Sequence, residues 1–149
     1  MKQFLFLILA TASILSCKTD DKKLKDSPLT AEQKQQALKD TNNFTTIQWL
    51  DSTIINLGNV KEGSNVEVAF RFKNTGTKQL VIGNVSPGCG CTIAEKPELP
   101  IAPGEESVIK GTFKSGGQSP GEHRKYITVT SNTNPSNISL EFIVNVTKQ

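Results

Sequence analysis

The sequence predicts an all-β protein, an antiparallel sandwich of about seven short strands. Two observations lead there. Apolar residues recur at every second position in several runs, as Val66, Val68, Phe70 and Phe72 do against Glu67, Ala69, Arg71 and Lys73. That period is the mark of a strand with one buried and one wet face. Clusters of Gly, Pro, Asn and Ser interrupt such runs every 8–15 residues or so, and helical periodicity is almost absent.

The elements follow in order. Lys2, the apolar run 4–9 and the close Ile14-Leu15-Ser16 describe an export signal over residues 1–16, too short to span a membrane. Ile14-Leu15-Ser16-Cys17 also resembles the lipobox of bacterial lipoproteins. The resemblance implies cleavage before Cys17 and acylation of its thiol, with chains such as palmitate. Residues 17–46 are polar and read as a tether. Thr30-Ala31-Glu32-Gln33 is a capping box, because the Thr hydroxyl accepts from a backbone amide three residues on while Gln33 reaches back. The helix it starts, over 31–39, is too short to stand alone in water.

From residue 47 to 149 the chain reads as the domain. After the strand at 66–73, Asn74-Thr75-Gly76 is a turn and Leu80-Val81-Ile82 a buried strand. Pro97, Pro100 and Pro103-Gly104 punctuate a crossing loop, and Ile109, Gly111 and Phe113 alternate again. A Gly- and Ser-rich hairpin loop, 115–121, precedes a strand at 125–130. A turn cluster at 131–137 then leads into the last strand. There Ile138, Leu140, Phe142, Val144 and Val146 share one face, which places the strand inside a sheet rather than at its edge.

Composition narrows the function. The net charge is +3 with the two signs interspersed. No basic stripe with aromatic residues among it is present, which argues against nucleic-acid binding. The initiator is the only Met, so a mature chain has no thioether ligand, and there is one His. With Cys17 assigned to lipid, Cys89 and Cys91 remain as a pair in an oxidising compartment.

Six segments together resemble a bacterial family of immunoglobulin-like domains of unknown function. They are 57–63, 70–76, Leu80-Val81-Ile82, Cys89-Gly90-Cys91-Thr92, Pro103-Gly104-Glu105 and Val129-Thr130-Ser131-Asn132. The family is marked by its Cys-Gly-Cys-Thr signature and is related to Hydin-like and major-sperm-protein-like sandwiches. The resemblance covers residues 54–146. It implies an immunoglobulin-like β-sandwich and a protein partner met through a strand edge or the loops at one end. No cofactor and no enzymatic activity are implied.

Three readings of Cys89 and Cys91 stand side by side. Two cysteines separated by one Gly can form a disulfide, structural or redox-active. They can hold a soft metal such as Cu(I) or Zn(II), or pack as small apolar residues. Zinc wants four ligands, and His123 is the one imidazole that would supply a third. A catalytic thiol needs an activating base, and no motif provides one. Asp51-Ser52-Thr53 resembles a bacterial O-glycosylation triplet. The expectation is a non-catalytic binding or scaffolding module, lipid-anchored in the cell envelope through Cys17, with thiol redox or copper handling as the alternative. Lys18-Thr19-Asp20-Asp21 resembles signals that send lipoproteins to the outer membrane and the cell surface.

Overall fold

The structure is a computed structural model describing residues 27–148. The export signal and Cys17 lie outside the described residues. Two four-stranded sheets face each other. One has the order β1 (Ile47–Trp49), β3 (Asn65–Asn74), β6 (Glu106–Lys114), β5 (Thr92–Glu95). The other runs β2 (Ile54–Lys61), β8 (Asn137–Thr147), β7 (Gly121–Ser131), β4 (Ile82–Pro87). This is an immunoglobulin-like sandwich. Among the described residues eight strands form, in keeping with the expected sandwich of about seven; β5 has four residues and no alternation long enough to announce it.

The core lies between the sheets and is built from the residues whose alternation predicted it. Phe70, Phe72, Phe113 and Phe142 have no exposed surface, and Phe113 meets Phe142 edge-on with ring centroids 5.9 Å apart. As expected, β8 is an inner strand, and its Leu140, Phe142, Val144 and Val146 are buried. Gly111 faces inward where nothing larger fits. A Cβ there would stand 2.9 Å from Ile127 Cδ1 and 3.0 Å from Val68 Cγ1.

One ladder departs from the antiparallel expectation, because β2 runs parallel to β8. The chain changes sheets over residues 50–53, so β1 and β2 are sequence neighbours that pair with different partners. The crossing is pinned on both sides. Asp51 Oδ2 accepts from the Arg71 backbone N–H (2.9 Å) and Nε (3.0 Å), and Oδ1 accepts from Nη2 (2.7 Å). The Glu141 N–H donates to the Thr53 carbonyl at 2.7 Å.

Two buried asparagines close one pole of the sandwich. Asn74 Nδ2 donates to the carbonyls of Lys78 (2.8 Å) and Ile101 (2.9 Å), while its Oδ1 accepts from Thr45 Oγ1 (3.0 Å) and the Gly76 N–H (3.1 Å). Asn132 Nδ2 donates to the carbonyls of Asn43 and Gln79, and its Oδ1 accepts from the Val81 N–H. Loop backbone that pairs with no strand is thereby satisfied inside the protein.

The helix α1 (Ala31–Lys39) forms where the capping box puts it, with both reciprocal Thr30–Gln33 bonds present. Within the described part of the tether expected over 17–46, the helix is docked rather than free. From Leu29 onward the described part lies on the domain. Leu38 packs on Gly83, Lys34 pairs with Glu98 at 3.1 Å, and the Thr45 N–H donates to the Asn132 carbonyl. A short helix that cannot persist alone is held by tertiary contacts instead.

Candidate functional site

The segment between β4 and β5 carries the chemistry. It leaves the outer strand of one sheet and enters the outer strand of the other. Its backbone is set by three hydrogen bonds: Gly88 N–H to the Tyr126 carbonyl (2.9 Å), Thr92 N–H to the Cys89 carbonyl (3.3 Å) and Lys114 N–H to the Cys91 carbonyl (2.8 Å). Gly88 lies against the Tyr126 ring so closely that a Cβ would stand 2.4 Å from Cε2. Gly90 sits at the exposed tip.

Cys89 and Cys91 are joined as a disulfide with a Cα–Cα distance of 5.2 Å, inside the usual bridging range. The two sulfurs differ in surroundings. Cys91 packs against the hydrophobic core, whereas Cys89 Sγ lies 3.6 Å from Thr92 Oγ1. Bridging a three-residue loop removes chain entropy worth only on the order of 1.5 kcal/mol in the loop-closure model. That is a small share of the roughly 5–15 kcal/mol that holds a domain together.

The structure does not assemble the metal set that Cys89, Cys91 and His123 would have made. Each thiol is consumed by the other. His123 lies on β7, where its Nε2 is 2.7 Å from the Ser119 carbonyl oxygen. Among the described residues no three His, Cys, Asp or Glu side chains come together as a metal-holding group. In the Asp51-Ser52-Thr53 triplet, Asp51 is engaged by Arg71, which holds its carboxyl down at about 2, and Ser52 Oγ donates to the Ile54 carbonyl. A cleft of about 430 Å³ between α1 and the asparagine-bound loops is lined by Leu29, Gln33, Lys78 and Asn132 among others. The Asn132 amide there is fully occupied by backbone partners. Sequence reasoning placed Thr92 in the Cys-Gly-Cys-Thr signature without giving it a role beside Cys89, and missed Tyr126, which no motif marks.

The family model described as a protein of unknown function, DUF1573, matches residues 47–146. The chain belongs to this family. No curated protein matches it. Among solved structures, this DUF1573 domain is similar to a protein of unknown function from Porphyromonas gingivalis W83. The TM-score is 0.59 at 14% identity, covering 71% of this chain and 49% of that one. It is also similar to the ASH / PapD-like domain 7 of human CEP192, with a TM-score of 0.53 at 11% identity, covering 72% and 89% respectively. The match thus spans about half the length of the Porphyromonas protein and most of the human domain. At these identities the likeness is one of fold alone, a β-sandwich. No helix among the described residues is long and apolar enough to cross a membrane.

Proposed function

We propose that this chain is a lipid-anchored protein of the bacterial cell envelope, and that its DUF1573 domain is a non-catalytic protein-binding module. The anchor is Cys17, acylated after cleavage at Ser16. The membrane is the outer one, with the domain facing the cell surface. The observation that carries the binding reading is the open edge of β3. That strand pairs with β6 along its whole length, but β1 covers only the stretch 72–74, with two further bonds at Arg71, whose carbonyl accepts from the Leu50 N–H and whose N–H donates to Asp51 Oδ2. Alternation along the strand turns the backbone groups of Glu67 and Ala69 to the same side as those of Arg71, past the end of β1. An extended segment of a partner adds there as a strand, its main chain supplying affinity and its side chains specificity.

Two experiments test the proposal. Fatty-acid labelling is expected in the wild-type chain and absent in Cys17→Ser; label that persists in the variant refutes the anchor. Ala69→Pro removes an N–H that faces the open edge and leaves the β6 ladder intact. Capture of the envelope partner by the full chain is expected to fall at least about tenfold in this variant, with the melting temperature nearly unchanged. Equal capture by both chains would move binding away from this edge.

A further inference from the structure

We propose that the Cys89–Cys91 loop is a thiol–disulfide exchange site for the dithiol of another protein. Cys89 is the attacked sulfur and Cys91 the leaving and resolving one. This stands independently of the strand-edge reading.

Four features support it. The ring closes across one residue, so the fold loses little when it opens. The three hydrogen bonds that position the loop are all between backbone groups, so the cysteines stay in place when reduced. The two sulfurs are unequal: Cys91 packs against the core, while Cys89 has the Thr92 hydroxyl at 3.6 Å as a donor to a thiolate. Exposed apolar side chains flank the loop. Tyr126 is 52% exposed and lies over Gly88, and Ile93, two residues beyond Cys91, is 47% exposed. Such a rim suits a polypeptide partner better than a small charged thiol.

The chemistry balances as follows. A thiolate of the partner attacks Cys89 Sγ, the Cys89–Cys91 bond breaks, and Cys91 leaves as a thiolate that takes up a proton. The partner's second thiolate then attacks its own sulfur in the mixed disulfide. Cys89 leaves as a thiolate, which accepts the Thr92 O–H bond and is then protonated. Two electrons pass to the cysteine pair, and the partner's dithiol becomes a disulfide. Disulfides within reach of solvent are generally more readily reduced than buried structural ones, and Cys89 and Cys91 are each half-buried.

The probe is a reduced thioredoxin, used with the purified full chain. Thiols are tagged by alkylation and mapped by peptide mass spectrometry, which keeps Cys17 separate. Stoichiometric opening of the disulfide by thioredoxin is expected, with the circular dichroism of the domain unchanged. A thioredoxin lacking its resolving cysteine should be trapped as a mixed disulfide on Cys89. In single variants, the Cys89 thiol of Cys91→Ser is expected to react with an aromatic disulfide reagent about tenfold faster than the Cys91 thiol of Cys89→Ser, and Thr92→Val should slow Cys89 several-fold. A pair that stays oxidised in excess reduced thioredoxin overturns the proposal. So does an adduct found on Cys91. Because trapping uses the unmutated chain, misfolding of a variant would not leave the question open.

Discussion

Leu38 of the helix rests directly on Gly83 of β4: a methyl group on Gly83 would stand 2.4 Å from Leu38 Cδ1. The glycine is a seat for the leucine, and through it the segment before the domain is held to the sandwich. Gly83→Val is therefore expected to lift α1. Amide exchange over 31–39 should rise at least about tenfold while exchange in β7 and β8 stays slow. Leu38→Ala, at a half-buried position, should cost about 1 kcal/mol. Unchanged exchange in Gly83→Val would mean that Leu38 merely rotates aside and the helix is held by other contacts.

Phe142 stands at the centre of the buried face of β8, edge-on to Phe113 across the two sheets. Phe142→Ala is expected to cost roughly 3–5 kcal/mol. Against a total of about 5–15 kcal/mol for a domain, that is a large loss. Chemical denaturation of the purified chain measures it, and a change under about 1 kcal/mol would contradict the packing described.

Asn74 makes four side-chain hydrogen bonds while fully buried, two as donor and two as acceptor. Asn74→Asp keeps the acceptors and removes the amide donors to the carbonyls of Lys78 and Ile101. At neutral pH it should destabilise the protein by about 3 kcal/mol or more, as an unpaired buried charge does. Asn74→Ala should cost somewhat less. A melting temperature in Asn74→Asp equal to the wild type would show that the pole tolerates charge.

Asp51 predicts an acid dependence. Its carboxyl is lowered from 3.8 to about 2, chiefly by the Arg71 side-chain hydrogen bonds and then by the Arg71 backbone N–H. A depressed folded-state value means that the contribution is fully present above pH 3.8 and is lost as pH falls through about 2. Asp51→Asn should therefore flatten the stability profile between those values and lower stability at neutral pH by the same small amount, as expected for a largely exposed pair. Carboxyl NMR titration of Asp51 checks the midpoint directly. A midpoint near 4 would remove the basis of this prediction.

The alternation that made β3 and β8 legible is a local property, carried by side chains two residues apart. The Thr30–Gln33 capping box is local too, and both were readable for that reason. What the sequence hid depends on residues distant along the chain. Nothing near Ile54 states that β2 will lie parallel to β8, because its partner is some ninety residues away. The docking of α1 needs Gly83 to lack a side chain, which reads in sequence only as a weak strand. Asn74 and Asn132 look like turn residues, and their burial follows from carbonyls that only the folded loops bring to them. At the site, the spacing of Cys89 and Cys91 allowed a bridge without requiring one. The asymmetry between the two sulfurs comes from the core behind Cys91 and the hydroxyl of Thr92, neither of which spacing encodes.

The parallel pairing of β2 with β8 has a mechanical consequence. The two strands point the same way, one entered from the N-terminal side of the chain and the other leaving toward the C-terminus. A pull between the two ends of the domain drags β2 backwards and β8 forwards along their common axis. Their hydrogen bonds, from Ile54 opposite Glu141 to Lys61 opposite Thr147, then lie across the load and must yield together in shear rather than peel one by one. A domain held at one end and tugged at the other is thereby braced along its line of tension, a resistance that single-molecule stretching would register as force rather than as melting temperature.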